Sequence, residues 1–278
     1  MCVCANAAEL SGTILFGGRR LHPVHGRVEV LGYQNTAVNR AAGPNAMLLH
    51  LPARSVTSAQ FLDVGRCDQV LRDLAAAAVP PQVFRGVGQV VDWMEGGGRV
   101  EVFEHDVYTV VLADRASDIP RALGLVPERK RPRVNPELLA FYEGCFPHHP
   151  VVLCCFDNAD AKQAKPLMLW YHPLDEERLV LPAIDCHTGA APDLRATVLT
   201  DHTVVFATDA APEGWGNPVG YRQAKKMREK LRAFLPERVM GARFSEMLPN
   251  GDFAIAHDDL VRGSLGRVER LVPGSGAS

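Results

Sequence analysis

Short apolar runs alternate with polar, Gly- and Pro-rich breaks along this chain. Thr13-Ile14-Leu15-Phe16 runs into Gly17-Gly18, Val28 to Tyr33 alternates apolar with polar, and Ala46 to Leu51 is bounded by Pro44 and Pro52. Three strands at such close intervals predict an antiparallel meander. Asp68 to Ala78 carries Val70, Leu71 and Leu74 at helical spacing, and Pro80-Pro81 stops it. Gly86 to Gly98 reads as an irregular connection before two strands, Arg99 to Phe103 and Tyr108 to Leu112. Ser117 to Leu123 reads as a short helix with Ser117 as its cap. A second helix runs from Pro136 to Phe141 behind the cap Asn135.

A second β-rich block follows. Val151 to Phe156 and Pro166 to Tyr171 are dense in β-branched and aromatic residues, with a loop at Asp157 to Asp160. Arg178 to Ile184 and Thr203 to Ala207 continue it. Tyr221 to Leu235 predicts a helix with the stripe Met227, Leu231, Phe234 and Leu235. Val239 to Met247 and Phe253 to Ala256 predict a hairpin through Asn250-Gly251, with Gly251 at positive φ in a type I′ turn. Regular β-α-β alternation is absent. The order therefore predicts an α+β fold, with largely antiparallel sheets and packed helices. One domain over 1–272 is expected, in two β-rich halves (1–127 and 134–272). The basic run Glu128 to Arg133 would join them as a solvated linker, and 273–278 would form a mobile tail.

Composition narrows the function classes. The 278 residues include 30 Lys plus Arg against 32 Asp plus Glu, a formal charge of -2 that leaves no overall electrostatic footprint for nucleic acid. No apolar run approaches the roughly 18 residues that would cross a membrane. The 7 cysteines are odd in number and include the adjacent pair Cys154-Cys155. They argue against a disulfide framework and for a reducing, cytoplasmic setting. Walker, G-x-S-x-G and H-E-x-x-H motifs are absent, as is paired zinc-ligand spacing, so no cofactor and no metal are expected.

Chemistry concentrates at the start. Once Met1 is removed, Cys2 would carry its own α-amino group, a base that titrates at about 8. That is the logic of an N-terminal nucleophile. Ten residues on come Gly12 to Gly17, then Gly18-Arg19-Arg20-Leu21. This stretch resembles the start of the choloylglycine hydrolase and penicillin V acylase family of N-terminal nucleophile hydrolases. The resemblance implies a layered sheet sandwich, Cys2 as nucleophile and an arginine beside it. Gly18 leaves open whether Arg19 or Arg20 takes that place, and His22 stands where the family has an aspartate. Asn45 or Asn158 could face an oxyanion through its side-chain amide. The reading expected is a hydrolase or acyltransferase acting on a carbon–nitrogen bond of a small-molecule acyl or amide substrate.

Two alternatives stand beside it. One is a non-catalytic module that binds a ligand or protein through its β-rich surfaces. The other is an enzyme with an internal thiol–imidazole pair, Cys155 or Cys186 with His187.

Overall fold

The computed structural model describes residues 3–79, 100–157 and 165–273. Cys2, the Gly86 to Gly98 connection, Asn158 and the tail from Gly274 lie outside the described residues. The fold is α+β with largely antiparallel sheets, as the hydrophobic pattern predicts.

Two large sheets dominate. The first has the order β1 (Val3–Cys4), β4 (Asn45–His50), β7 (Val151–Phe156), β6 (Tyr108–Ala113) and β5 (Val100–His105), antiparallel throughout. The second has the order β12 (Asn217–Pro218), β13 (Arg238–Phe244), β11 (His202–Thr208), β2 (Ala8–His22), β3 (Gly26–Asn39) and β8 (Leu167–Tyr171). Its one parallel pairing is β2 with β11. Both sheets take strands from either side of the Glu128 to Arg133 run. Within that run Lys130 is buried, and its ammonium reaches Val107 O at 2.7 Å and Glu104 Oε2 at 3.2 Å. A smaller sheet joins β16 (Glu269–Leu271), β15 (Asp252–Ala256) and β9 (Arg178–Leu181). A separate two-stranded ribbon pairs β10 (Thr197–Leu199) with β14 (Met247–Pro249).

The strands β4, β6 and β7 are buried along their whole length because both faces of their sheet are covered there. On β7, Val152, Cys154 and Phe156 enter the core between the sheets, with Leu15, Leu31 and Phe206 of the second sheet. Val151, Leu153 and Cys155 point the other way, toward α2 (Ile119–Ala122) and α3 (Pro136–Cys145). On the far face of the second sheet, Phe16, Val30 and Val205 pack against Leu71 and Leu74 of α1 (Val70–Ala78). Helices thus close the outer face of each sheet. Asn135 caps α3 as expected, accepting a hydrogen bond from Glu137 N at 3.0 Å.

Two expectations are corrected. The predicted helix over 221–235 shortens to a 3-10 turn at Ala224–Lys226 and one turn of α4 (Glu229–Arg232). Met227, Leu231 and Phe234 are nonetheless buried against the second sheet. The Asn250-Gly251 hairpin is absent, because β14 pairs with β10 while β15 pairs with β9 and β16. Asn250 is instead a buried tie. Its Oδ1 accepts from Asp185 N at 2.8 Å, and its Nδ2 donates to Asp185 O at 2.9 Å and Asp193 O at 3.0 Å. Gly251 adopts no positive φ. It is required by close approach, since a Cβ there would lie 2.3 Å from Leu271 O. α5 (His257–Arg262) then follows β15 directly and ends on Gly263, whose φ is 75°.

Candidate functional site

Alternation along β2 sends Arg19 and Arg20 to opposite faces. Arg19 turns inward with Leu15 and Gly17, toward β9. Its guanidinium donates to Glu29 Oε1 of β3 through Nη2 at 2.6 Å and Nε at 3.1 Å. Its remaining hydrogens go to carbonyls: Nη1 to Glu176 O at 2.7 Å, and Nη2 to Arg178 O at 2.9 Å and Asp175 O at 3.3 Å. Both members of the ion pair are fully buried, at 3 % and 1 % exposure. Burial pushes the Glu29 carboxyl up to about 7, with Arg19 only partly opposing it. This arginine fastens the β2–β3 hairpin to the Asp175–Arg178 turn and has nothing left to give a substrate. Arg20 faces outward and donates from Nε to Asp209 Oδ2 at 3.1 Å.

Asn45 opens β4 and is consumed by structure. Its Oδ1 accepts from Asn6 N at 2.9 Å, while its Nδ2 donates to Asn6 O, Ala7 O and Asn39 Oδ1 at 3.1, 3.3 and 3.1 Å. A donor engaged three times is not poised for an oxyanion. Asn158 and Cys2 lie outside the described residues.

The internal thiols are placed differently from one another. Cys155 sits in the middle of β7, fully buried, and burial pushes its thiol up to about 12. It therefore keeps its proton at neutral pH and is no nucleophile. Cys186 is half-buried beside the N-terminal strand, where its carbonyl accepts from Cys4 N at 2.8 Å. Its Sγ lies 3.3 Å from Thr188 Oγ1 and 3.2 Å from Ala190 O. The His187 imidazole instead pairs with the carboxylate of Asp185, Nε2 to Oδ1 at 2.8 Å.

A buried polar constellation that the sequence does not announce lies nearby. His50 Nε2 meets Asp252 Oδ2 at 2.7 Å, and Asp252 Oδ1 accepts from Ala183 N at 2.7 Å. Phe146 stacks on His50 with centroids 3.7 Å apart, and the His149 ring lies 5.5 Å away. Burial and the neighbouring His50 hold His149 down at about 4. The pair joins β4 to β15 in the interior, at 2 % and 5 % exposure, so it ties sheets together rather than meeting a ligand. Among the described residues, no group of three or more His, Cys, Asp or Glu is placed to hold a metal ion. Among them also, no helix is long and apolar enough to cross a membrane.

The surface offers more than the interior does. Leu199 of β10 and Met247 of β14 are cross-strand partners at the ribbon's end, 66 % and 57 % exposed. Leu21 and Val24 stand out at the tip of the β2–β3 hairpin, 73 % and 78 % exposed. The hydrophobic pattern could not single these out, because only long-range pairing decides which apolar residues stay outside.

No protein-family model matches the chain, and no curated protein matches it. Solved structures of baculovirus P35 are similar to it. A mutated baculovirus P35 after caspase cleavage aligns at TM-score 0.48 and 10 % identity, covering 89 % of this chain and 98 % of that one. Baculovirus P35 itself aligns at TM-score 0.43 and 12 % identity, covering 93 % and 92 %. P35 in its complex with caspase-8 aligns at TM-score 0.38 and 14 % identity, covering 73 % and 64 %.

The expected cysteine hydrolase or amidase with a small acyl or amide substrate is corrected. The similar solved structures are of P35, one of them cleaved by a caspase and another bound to one, and not of amide hydrolases. The geometry runs the same way: Arg19 and Asn45 are spent on the fold, and the Cys155 thiol is held protonated.

Proposed function

We propose that the chain is a non-catalytic module that binds a protein partner. The observation that carries this reading is the β10–β14 ribbon. Leu199 and Met247 lie side by side, mostly exposed, on a strand pair that no third strand flanks among the described residues. Covering them would remove apolar surface from water at about 25 cal/mol per Å². The open ribbon edges could also pair main chain to main chain with an extended segment. Cys67, Cys145, Cys155 and Cys186 are free thiols, which suits a protein of the reducing cytoplasm.

Caspase-8, with which P35 was solved, is the probe for the first test. Biolayer interferometry would measure its binding to the whole chain, beside an assay for amide turnover by the chain alone. Saturable binding that Leu199→Lys with Met247→Lys weakens at least about tenfold, a loss of about 1.4 kcal/mol, supports the reading. Amide turnover by the purified chain with no caspase-8 binding overturns it.

A further inference from the structure

A cleft of about 520 Å³ opens on the outward side of β2, between its end, the turn after β11 and the 219–238 segment. Three arginines line it, Arg20, Arg232 and Arg238, against two carboxylates, Asp209 and Glu237. The formal balance is one positive charge. The carboxylates do not use up the guanidinium hydrogens. Asp209 Oδ2 accepts from Arg20 Nε at 3.1 Å and from Leu21 N at 2.7 Å. Arg20 Nη1 is buried and meets no hydrogen-bond partner. Arg232 Nη2 donates to Ala224 O at 2.7 Å, and Arg238 donates to Trp215 O and Gly216 O at 2.5 and 2.6 Å. Neutral carbonyls orient these two cations without cancelling their charge.

An unpaired guanidinium nitrogen out of water costs free energy that an anion can recover, and a carboxylate matches the guanidinium fork. The single excess charge suits a monoanion better than a phosphate dianion. Val219, Met227 and Leu235 supply apolar wall between the charges. The Tyr221 hydroxyl is already committed to Pro236 O at 2.6 Å. Carboxylate-binding groups lined by apolar surface fit an acid carried on a methylene stem, which buries its stem as the charge pairs.

We propose that this cleft takes a glutamate side chain presented by the protein partner. The carboxylate lies on Arg20 with Arg232 and Arg238 around it, and the methylenes lie against Met227 and Leu235. The inference rests on the protein-binding reading above, and it assigns the chemistry of one contact.

The probe is N-acetyl-glutamate N-methylamide, whose only charge is the side-chain carboxylate, titrated into the ¹⁵N-labelled full chain. Saturable shifts at the amides of Asp209 and Tyr221 are expected. The neutral glutamine analogue should give none. Arg20→Gln should weaken binding at least about tenfold, and so should Arg232→Gln, whose side chain is exposed, with an unchanged urea midpoint showing that the fold is kept. The absence of shifts with the glutamate probe overturns the proposal, as do equal shifts with the glutamine analogue. Stronger binding of N-acetyl-leucine would make the source a chain terminus, and stronger binding of inorganic phosphate would make it a phosphate; either overturns it too. These probes contain no protein surface. Failure here with the ribbon-dependent binding intact removes only the cleft, whereas loss of partner binding removes the reading beneath it.

Discussion

Glu29 offers the sharpest test of how this fold balances burial against charge. Its carboxyl accepts two hydrogen bonds from Arg19, which favours ionisation, yet at 1 % exposure desolvation prevails and lifts it from 4.5 to about 7. A carboxyl raised in the folded state contributes stability that is fully present below its unfolded value near 4.5. That contribution is lost as pH rises through its folded value near 7. The loss across this window is about 3 kcal/mol. Glu29→Gln keeps an acceptor for Arg19 and removes the titration. Urea unfolding followed by circular dichroism at intervals from pH 4.5 to 7.5 would compare variant and parent. Other groups titrate equally in both proteins, so their difference isolates residue 29. The gap should move in the variant's favour by about 2–3 kcal/mol, or about 1 M in midpoint for a slope of about 3 kcal/mol per M. A gap constant to about 0.5 kcal/mol would refute the reasoning. A gap moving the other way would show that Arg19 outweighs burial.

His149 should show the opposite sign. Its imidazole is held down at about 4, so its stabilising contribution is complete above 6.5 and is lost as pH falls toward 4; His149→Gln should abolish a loss of about 3 kcal/mol over that window in the same titration. Phe234→Ala should cost about 3–5 kcal/mol by urea unfolding, since the ring is buried and stacks on His22 at 4.5 Å and on Trp170 at 5.6 Å; a cost below about 1 kcal/mol would mean the site is not core. Asn250→Ala should lower stability by about 3 kcal/mol, because it strands Asp185 N, Asp185 O and Asp193 O inside the protein, and an unchanged melting temperature would count against that tie.

Much of the architecture was written in local pattern. Val151 to Phe156 was legible as a strand because six buried apolar residues in a row can be covered on both faces. Asn135-Pro136 was legible as a helix start because cap and first position are fixed by backbone geometry. The stripe Met227, Leu231 and Phe234 told which residues are buried but not in what conformation. Its period survives in a chain that makes a single helical turn around α4. Asn250-Gly251 misled for a related reason. A turn dipeptide reports a change of direction, and here the two strands leave for different sheets. For the site, Met1-Cys2 and the glycine–arginine strand end suggested a nucleophile and its partner. Local spacing could not show that Arg19 faces Glu29 across the hairpin. Nor could it show that Arg20, one residue on, opens into a cleft whose other cations lie far along the chain.

The parallel pairing of β2 with β11 has a consequence in time. In that register Arg20 lies beside Asp209, its contact 189 residues further along the chain. During synthesis the β2–β3 hairpin can close on its own as soon as its strands emerge. The neighbour on the free edge of β2 does not exist until the chain has grown by roughly the 189 residues that separate Arg20 from Asp209, and such distant closure is slow to pay back its entropy. At roughly 5–20 residues per second the β2 edge waits on the order of ten seconds or more unpaired, and the β3 edge is bare for most of that time because β8 also comes late. Such an edge recruits strands from other chains. A nascent chain of this protein therefore depends on being shielded during that interval, and its yield should respond to translation speed and to chaperone supply more than to its final stability.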